Sequence, residues 1–470
     1  MSLKEIKKVL LFNPPGKNIY LRDYFCSHSS KARYYWGPYD LIALSGILKN
    51  NFDLRALDCI GSKILPQTAK NIILTGKYDV VIFLTGAVSW EEDFELIGKI
   101  NQNAPQKIIW IGIGDILFAE DKRSLELFPF LDAIILDFTS DELVNYLKGS
   151  SSQFNTISYR SDNGEIILAT RNFSKGLFSI PIPDYSLFPY TIYRIPHGCR
   201  IPYAGILTDY GCPFHCDYCI GGELGFKLRD IDNTIEEMKY LKNIGIKELW
   251  IKDLTFGVDK KRTFELLERM IDEKLGFTWV CLSRPNVLNE ELLRLMKKAG
   301  CHTIQLGVET ASDEILSKYS KGVSREQVRE SVRLCKKVGI RILAHYILGL
   351  PGDTEKTISD TINFAIELDT EFASFNVAMP RMGTKFRERA IKEGIITDDL
   401  ITLDNSISFP VMETSELSRE KLWTLRNKAI RKYHLRPHFI FRRLFNIRSL
   451  YELKTLFVEG YSLLATTFHK

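Results

Sequence analysis

The sequence predicts an α/β protein with an N-terminal doubly wound parallel sheet, a partial (β/α)6 barrel and a helical C-terminal extension. Two observations lead to this prediction: apolar strands alternate with helices in two separate runs, and the second run is long enough to curl into part of a barrel. The 470 residues also exceed the size at which one hydrophobic core keeps growing. We therefore predict domains at 1–150, 201–390 and 391–470, joined by a linker at 151–200.

Composition is that of a soluble globular protein, with 45% hydrophobic and 26% charged residues. No apolar run is long enough for a membrane-spanning helix, and the N-terminus MSLKEIKKVLLFNPPG lacks the features of a signal peptide. We expect a cytoplasmic location. Nine cysteines, scattered apart from one cluster, do not form a disulfide framework.

The first domain begins the strand and helix pattern. Its near-continuous apolar strands are typical of a sheet buried on both faces, and such sheets bind ligands at the carboxyl ends of their strands. Gly86 and Gly114 follow two of the strands and leave room there. No GxGxxG follows the first strand and no GxxxxGK[ST] occurs, which argues against dinucleotide and P-loop nucleotide binding. The strands are predicted at 7–16, 53–61, 78–86, 107–115 and 132–138, with helices at 40–50 and 91–102.

Two further segments of the N-terminal part are unusual. The segment 19-IYLRDYFCSHSSKARYYWGPYD-40 is long for a loop and mixes aromatic, basic and hydroxyl side chains, which suits the lining of a ligand cavity. We expect it to cover a cofactor or to hold substrate. The prolines of 151–200 favour an extended strap between domains over a third domain.

The second run of strands carries a cysteine cluster, 211-GCPFHCDYCIGG-222, directly after its first strand. A zinc site needs four ligands, but no second cysteine pair is present and His215 is a weak fourth candidate. Three thiolates suit a [4Fe–4S] cluster that keeps one iron open for chemistry. The strands are predicted at 204–211, 247–256, 277–283, 302–309, 340–350 and 372–380, with helices at 233–245, 259–273, 289–299, 324–338 and 354–368.

The spacing Cys212, Cys216 and Cys219, with Tyr218 before the last cysteine, resembles the CxxxCxxC signature of the radical S-adenosylmethionine (SAM) enzymes. The resemblance covers about 200–390 and implies a TIM-like barrel. It implies that the three thiolates hold a [4Fe–4S] cluster, that SAM binds the fourth iron, and that one-electron reduction cleaves SAM to a 5′-deoxyadenosyl radical.

Polar residues at later strand ends are candidates for SAM contacts, because the carboxyl ends of barrel strands form the catalytic face. Asp253 suits the ammonium group of SAM and Arg284 its carboxylate, whereas Glu309 suits the ribose hydroxyls. The segment 347–353, which includes Leu348, offers backbone polar groups on an apolar floor for adenine. Each of the three charged side chains has an alternative role in a structural ion pair.

The domain order resembles the cobalamin (B12)-binding radical SAM class, which implies a Rossmann-like first domain of the B12-binding type. Asn13 lies in the strand that runs into NPP, as in that class, and Gly86, Gly112 and Gly114 lie where the class binds its cofactor. The sequence departs from the class in GIGD at 112–115, in place of a GGPH-like loop, and in LDFTSDE, in place of a GEGE-like turn. The absence of a DxHxxG motif excludes a histidine ligand to cobalt.

The C-terminal extension is strongly basic. From 426 to 448 it contains eight Lys or Arg and no acidic residue, interleaved with aromatic residues. Such a segment suits the surface of an anionic membrane or a cover over an apolar substrate. Its alternative is a solvated helix packed on the barrel. Nucleic acid is not expected as a partner, because no RNA-binding module accompanies the segment.

The leading hypothesis is a radical SAM enzyme, cobalamin-dependent, that activates a C–H bond of a lipid-like, tetrapyrrole or other apolar small molecule for methyl transfer or cyclisation. A flavodoxin- or ferredoxin-type protein would supply electrons, and 426–448 would make peripheral contact with the inner membrane face. Two alternatives stay open: a rearranging or oxidising radical SAM enzyme without cobalamin, and a non-catalytic iron–sulfur protein for electron transfer or sensing.

Overall fold

The computed structural model of the chain describes residues 6–31, 34–150, 153–173, 175–399, 404, 409–445, 453, 456–458 and 460–461. The chain divides into two compact units. The first unit comprises Met1–Ser30, Tyr34–Arg194 and Leu224–Glu237, and the second unit comprises Lys31–Arg33, Ile195–Glu223 and Met238–Lys470. The first unit therefore takes in most of the segment predicted to be a linker.

Regular elements of the described chain are mostly short strands and helices in alternation. The strands are β1 (Lys8–Asn13), β2 (Tyr20–Leu21), β3 (His28–Ser29), β4 (Asp53–Asp58), β5 (Val80–Leu84), β6 (Ile109–Ile113), β7 (Leu131–Ile135), β8 (Ile157–Arg160), β9 (Ile166–Ile167), β10 (Gly176–Phe178), β11 (Tyr203–Ile206), β12 (Asp209–Gly211), β13 (Phe226–Arg229), β14 (Glu248–Ile251), β15 (Thr278–Ser283), β16 (Cys301–Glu309), β17 (Arg341–Leu348) and β18 (Phe372–Val377). The α-helices are α1 (Tyr39–Leu48), α2 (Cys59–Ser62), α3 (Pro66–Gly76), α4 (Trp90–Gln102), α5 (Asp115–Ala119), α6 (Asp121–Leu127), α7 (Glu142–Leu147), α8 (Ile231–Asn243), α9 (Lys260–Asp272), α10 (Glu290–Lys298), α11 (Asp313–Lys318), α12 (Arg325–Val338), α13 (Glu355–Leu368), α14 (Lys385–Lys392), α15 (Arg419–His434) and α16 (Pro437–Phe445).

The first unit is built on a sheet whose parallel part has the order β4–β1–β5–β6–β7. Its strands are buried because both faces are covered; every residue of β5, for example, is buried. The strand order reverses between β1 and β5, which is where doubly wound sheets form a crevice at their carboxyl edge. The predicted doubly wound sheet is confirmed.

This sheet continues beyond β7 with a hairpin that the sequence analysis assigned to the linker. β8 pairs antiparallel with β7, and β9 pairs antiparallel with β8. Gly164 lies in the turn between them with a φ of +87°, in the left-handed region that favours glycine. The sequence signal was the Asp-Asn-Gly turn at 162–164, which precedes a short apolar run.

A second hairpin, β2–β3, lies over the carboxyl edge of the same sheet. The strands pair antiparallel, with Leu21 opposite His28. The Arg22 guanidinium donates to Asn13 Oδ1 at 2.9 Å, at the end of β1, and the Ser27 N–H donates to Asp115 Oδ2 at 2.8 Å, after β6. The hairpin therefore covers strand ends that the sequence analysis expected to be open to a ligand.

The second unit contains the sheet β11–β14–β15–β16–β17–β18, in which all neighbouring strands are parallel. Helices follow the strands in turn, and side-chain caps fix where they begin: Asp259 caps α9, Asn289 caps α10, Ser324 caps α12 and Thr354 caps α13. This alternation confirms the predicted partial (β/α)6 barrel.

The two faces of the last barrel strands differ. Tyr346 stacks on Phe375 with 4.9 Å between ring centroids, and Phe375 meets Tyr433 of α15 at 6.0 Å. These side chains mark the outer face, which α15 covers. Along β18, Ser374 and Asn376 alternate with these positions and are half-buried on the inner face.

The helical C-terminal extension packs on the barrel through its aromatic and basic residues. Tyr433 is fully buried and its hydroxyl donates to Thr370 O at 2.6 Å. Arg436 and Arg442 form ion pairs with Asp369 at 2.9 and 2.5 Å. Among the described residues, no helix has the length and apolar character needed to cross a membrane.

Candidate active site

The cysteine loop follows β12, and a glycine makes the turn into it. Gly211 is the last residue of β12 and has a φ of +78°. Cys212 and Cys216 are buried and Cys219 is half-buried. The Cys219 N–H donates to Cys216 O at 3.0 Å, so the backbone turns tightly between these two residues.

Hydrogen-bond donors approach the sulfur atoms of the loop. Cys216 Sγ accepts a hydrogen bond from Arg284 Nη1 at 3.1 Å. Cys219 Sγ accepts one from the Gly221 N–H at 3.3 Å. Donors directed at sulfur favour the thiolate form, and soft thiolates are the ligands that iron–sulfur clusters select. The three thiols therefore fit an iron–sulfur cluster.

Burial dominates the surroundings of Cys212. It raises the pKa of this thiol, and hydrogen bonds from Thr255 and the Phe214 N–H offset part of the increase. Thr255 Oγ1 lies 3.6 Å from Cys212 Sγ. A Cβ on Gly221 would lie 2.9 Å from Leu254 Cδ1 and 3.3 Å from Cys219 Sγ, so glycine lets the end of the loop pack closely here. A bound metal ion deprotonates a coordinating thiol, so burial does not oppose ligation.

Arg284 is fixed beside the loop, where β15 ends. Its guanidinium lies 3.9 Å from the centroid of the Phe214 ring and is buried. Besides its bond to Cys216, it donates to the backbone carbonyl of Lys321. These contacts hold a permanent positive charge next to the thiols, which favours both thiolates and an anionic ligand.

Glu309 and Tyr218 complete the described surroundings of the loop. Glu309 has a φ of +66°, an uncommon conformation for a residue other than glycine, and its carboxylate pairs with Lys321 Nζ at 2.6 Å. The buried Tyr218 hydroxyl has no hydrogen-bond partner among the described residues. Burial raises the pKa of Tyr218, and the nearby charge of Glu309 adds to the increase. Backbone strain and an unpartnered buried hydroxyl are typical of a ligand site.

Comparisons with known proteins agree with this geometry. Residues 206–365 match the model of the radical SAM superfamily. This segment is a radical SAM domain. The match includes the cysteine loop, Asp253, Arg284, Glu309 and Leu348, and it confirms the resemblance described for the sequence.

Relatives resemble the chain well beyond the radical SAM domain. An uncharacterised methyltransferase of Pyrococcus horikoshii is 29% identical over 422 residues, which cover 87% of this chain and 90% of the relative. The bacteriochlorophyllide d C-12(1)-methyltransferase of Chlorobaculum tepidum is 25% identical, over 75% of this chain and 73% of its own length. Among solved structures, the radical SAM methyltransferase TsrM from Kitasatospora setae, with cobalamin and a [4Fe–4S] cluster bound, matches with a TM-score of 0.69 at 16% identity. The match covers 98% of this chain and 100% of that chain. The fold is therefore shared along nearly the whole chain.

Asp253, predicted to contact SAM, lies two residues after β14, the second strand of the barrel sheet, and is fully buried. Its Oδ1 accepts hydrogen bonds from the backbone N–H groups of Thr208 at 2.6 Å and Asp209 at 3.1 Å, and its Oδ2 accepts one from the Thr208 hydroxyl. Burial raises the pKa of Asp253 to about 6. In the structure this carboxylate fixes the strand that leads into the cysteine loop.

The segment predicted to hold adenine also makes internal hydrogen bonds. Leu348 is buried and its carbonyl accepts from the Ala378 N–H at 2.8 Å. The N–H groups of Gly349 and Leu350 donate to Asp353 at 2.9 and 3.2 Å. These contacts hold the turn after β17 in place and occupy part of the polar backbone that was predicted to be available.

At the carboxyl edge of the first unit, the predicted residues belong to a connected polar network. Asn13 donates to Asp58 and to the Tyr35 hydroxyl, each at 2.8 Å, and accepts from Arg22. Arg22 also pairs with Asp93 at 2.5 Å, and both side chains are fully buried. Asn13 thus links β1 to the β2–β3 hairpin.

The three glycines predicted at this edge lie against the chain itself. A Cβ on Gly86 would meet Ser27 of the hairpin, and one on Gly112 would meet Leu117. Gly114 has a φ of +144° and faces the Thr85 carbonyl. These glycines allow the backbone and the hairpin to approach, and within the described first unit they do not line an open cradle.

The sequence analysis did not identify three polar pairs, one in the first unit and two on the inner face of the barrel. Lys227 forms a buried ion pair with Asp137 at 2.6 Å, in the turn that departs from the cobalamin-binding pattern. On the inner face of the barrel, Lys31 donates to Asn376 Oδ1 at 2.7 Å, and His345 Nε2 lies 3.1 Å from Gln305 Oε1. No local motif marks these pairs, because their partners are far apart in the chain.

Proposed function

We propose that the protein is a cobalamin-dependent radical SAM enzyme that activates a C–H bond of a small molecule, for methyl transfer or cyclisation. The observation that carries this proposal is the loop of three thiols beside a buried arginine, within a radical SAM domain. Cys212, Cys216 and Cys219 would hold a [4Fe–4S] cluster, which when bound would supply the electron for SAM cleavage, and a bound cobalamin would supply a carrier for the methyl group.

The residues around the loop provide binding and orientation for SAM. Arg284 offers a fixed positive charge to the SAM carboxylate, while Glu309 accepts from the ribose hydroxyls and Tyr218 donates its unpartnered hydroxyl to the bound ligand. Asp253 Oδ2 accepts one hydrogen bond and retains capacity for the SAM ammonium. Leu348, at the end of β17, and the turn that follows it would provide an apolar floor for adenine.

We assign cobalamin to the first unit because of the fold of that unit. The unit has a doubly wound sheet with a switch point between β1 and β5, and TsrM, whose structure contains cobalamin, has the same fold along its whole length. Asn13 lies at this switch point, and Gly86, Gly112 and Gly114 shape the same edge.

The substrate class is proposed from the inner face of the barrel. Gln305, His345, Ser374 and Asn376 are half-buried on this face, and Lys31 brings a positive charge to it. Such a lining favours a substrate with a negatively charged group, for example a carboxylate-bearing tetrapyrrole, over an uncharged lipid. We expect carboxylate-bearing candidates to increase the rate of SAM cleavage and uncharged isoprenoids to have no effect.

The first experiment measures iron, cobalamin and 5′-deoxyadenosine for protein purified anaerobically after expression with cobalamin. We expect about four irons per chain, stoichiometric cobalamin, and SAM-dependent formation of 5′-deoxyadenosine. Cys216→Ala should lose both iron and SAM cleavage, whereas the matched variant Cys26→Ala, outside the loop, should keep both. Iron without cobalamin would leave a radical SAM enzyme of the rearranging or oxidising kind. Iron without SAM cleavage would leave an electron-transfer or sensing protein.

The electron donor is proposed to be a flavodoxin- or ferredoxin-type protein, since the cluster needs a one-electron reductant. Reduced flavodoxin or ferredoxin should support SAM cleavage at a rate comparable with a chemical reductant. If neither protein transfers electrons while a chemical reductant does, this partner class is wrong.

Contact with a membrane is proposed through α16 in the basic segment 426–448. This helix exposes Phe441 by 58%, Leu444 by 46% and Phe445 by 83%. We expect co-sedimentation with vesicles that contain phosphatidylglycerol and loss of it in the double variant Phe441→Ser, Phe445→Ser. Vesicles of phosphatidylcholine alone are the control for charge. Equal sedimentation of the variant and the parent would contradict the proposal.

A further inference from the structure

A polar cluster lies at the amino-terminal edge of the barrel sheet, opposite the edge that carries the cysteine loop. Glu248 and Arg341 are the first residues of β14 and β17, and His302 is the second residue of β16. Cys199 lies in the segment that precedes β11. All four residues belong to the second unit, and none of them is needed by the proposed radical chemistry.

Contacts in this cluster centre on the Cys199 sulfur. Arg341 Nη2 donates to Cys199 Sγ at 2.7 Å and also lies 2.8 Å from His302 Nδ1. Cys199 Sγ and His302 Nδ1 are 3.7 Å apart. On the other side of the imidazole, His302 Nε2 lies 3.3 Å from Glu248 Oε1. The order is therefore thiol, imidazole and carboxylate, with a guanidinium beside the thiol.

This arrangement fixes the tautomer of His302. A guanidinium N–H can only donate, so Nδ1 must accept, and the ring proton is on Nε2, where it is donated to Glu248. Burial lowers the pKa of His302, so the imidazole is neutral, and the Glu248 carboxylate offsets part of this decrease. Because the guanidinium N–H occupies its lone pair, Nδ1 positions Arg341 beside the sulfur.

Glu248 also positions the cysteine. It is fully buried, and its Oε2 accepts from the backbone N–H groups of Cys199 at 2.8 Å and Arg200 at 2.5 Å. Two backbone hydrogen bonds to one buried carboxylate hold this segment in a single conformation. Cys199 itself is only half-buried, whereas Cys281, Cys301 and Cys335 are buried.

We infer that Cys199 is a reactive thiolate and a site of reversible modification by small disulfides. The Arg341 charge stabilises the thiolate, and His302 Nδ1, which accepts from the same nitrogen, holds the guanidinium against the sulfur. In the reaction, Cys199 Sγ attacks one sulfur of the disulfide, a new S–S bond forms, and the old S–S bond breaks. The departing thiolate takes up a proton and leaves as a thiol, so Cys199 is oxidised and the disulfide is reduced.

A metal site is the competing interpretation. Cys199, Glu248 and His302 each place one ligand atom within 4.8 Å of the others. However, Arg341 Nη2 lies within 2.8 Å of both the sulfur and Nδ1, where a metal ion would have to bind. A second positive charge at that position would be repelled, and the Glu248 oxygens already accept backbone hydrogen bonds. The contacts therefore favour the thiolate.

Modification of Cys199 would change the charge balance at this edge. A mixed disulfide removes the negative charge that faces Arg341 and adds bulk next to His302. Arg341 is the first residue of β17, the strand that carries His345 on the inner face. The state of the thiol is thus linked to a strand that lines the proposed substrate site.

The test measures the alkylation rate of each cysteine by mass spectrometry after anaerobic exposure of the intact, cluster-loaded protein to iodoacetamide between pH 5 and 9. We expect Cys199 to react at pH 6 at least about tenfold faster than half-buried Cys26, with a midpoint below the value of about 8.5 for a free thiol. A dithiodipyridine reagent should give a mixed disulfide at Cys199 first, and dithiothreitol should reverse it.

Two variants keep the test decisive. Arg341→Gln should raise the midpoint of Cys199 alkylation by about one pH unit, a tenfold loss of rate at pH 6, and leave Cys26 unchanged. His302→Asn should change the rate in the same direction if Arg341→Gln does not fold. A Cys199 midpoint at or above that of Cys26, or no shift in the variant, would overturn the inference. Alkylation that requires a chelator, together with stoichiometric zinc, would overturn it in favour of a metal site. None of these readouts depends on SAM cleavage or cobalamin.

Discussion

The carboxyl edges of the two sheets are completed in different ways. In the first unit, polar groups at this edge bind one another: Arg22 pairs with Asp93, and Asn13 donates to Asp58. In the second unit, the same edge holds the unpartnered Tyr218 hydroxyl and the left-handed backbone of Glu309. Mutually satisfied polar groups stabilise the fold, whereas unpartnered and strained groups suit a ligand. The polar groups of the first edge therefore secure its hairpin, so the assignment of cobalamin to this unit rests on its fold, whereas the second edge offers unpartnered and strained groups to a ligand.

The largest expected effect is on the first edge. Arg22→Met would leave the Asp93 carboxylate buried without its cation, and we expect the free energy of unfolding to fall by about 3–5 kcal/mol. Burial already raises the pKa of Asp93, and the Arg22 charge offsets part of that. The loss should therefore shrink as the pH falls and Asp93 becomes protonated. Urea unfolding at pH 5 and pH 8 measures it.

A matched double variant sharpens this first prediction. Arg22→Met with Asp93→Leu removes both charges and should recover most of the stability, because no unpaired charge remains. A double variant as unstable as Arg22→Met would show that packing of the hairpin, and not the ion pair, holds the first edge together.

The next effect concerns activity at the second edge. Arg284→Gln removes the charge beside Cys216, and we expect SAM cleavage to fall about 100-fold, as for the loss of a preorganised donor. The measurement is 5′-deoxyadenosine formation, with iron content measured in parallel. Arg294→Gln is the control, since Arg294 forms an exposed ion pair with Glu290 within α10. Equal rates in the two variants would contradict a role of Arg284 in binding SAM.

Sequence patterns predicted the strands and the cysteine loop because these depend on local composition and spacing. The β8–β9 hairpin was not predicted because its strands are short, with four residues in β8 and two in β9. The role of Asp253 was only partly visible: a polar residue at a strand end is evident from sequence, but its hydrogen bonds to Thr208 depend on the neighbouring strand. Lys31 and Asn376 meet across 345 residues, so no local pattern indicates their contact.

A smaller effect should follow from the acid pair behind the cysteine loop. Burial raises the pKa of Asp209 well above its ordinary value, and the charge of Asp253 adds to the increase. A raised folded-state pKa means that the folded chain binds more protons, so stability present at low pH is lost as the pH rises through that pKa. Asp209→Asn should remove this decrease in the free energy of unfolding, which amounts to at most about 1.4 kcal/mol per pH unit.

The measurement for this pair is urea unfolding of the parent and of Asp209→Asn at pH 5, 6, 7 and 8. We expect the advantage of the variant to increase with pH. A difference that stays the same at every pH would show that the Asp209 carboxyl is not kept protonated by its surroundings.

The smallest change separates ligand binding from stability. Tyr218→Phe removes a buried hydroxyl that has no partner among the described residues, so the free energy of unfolding should stay the same or rise by up to about 1 kcal/mol. The same variant should weaken SAM binding, because the hydroxyl lies at the edge that holds the cysteine loop. Tyr346→Phe is the matched control: its hydroxyl is also buried and finds no partner in the part of the chain that the structure describes, but its ring packs on the outer face against Phe375. Unfolding by urea and titration with SAM compare the two. If both variants bind SAM as the parent does, the unpartnered hydroxyl at the second edge is a packing defect like that of Tyr346, and the contrast between the edges rests on Arg284 and Glu309 alone.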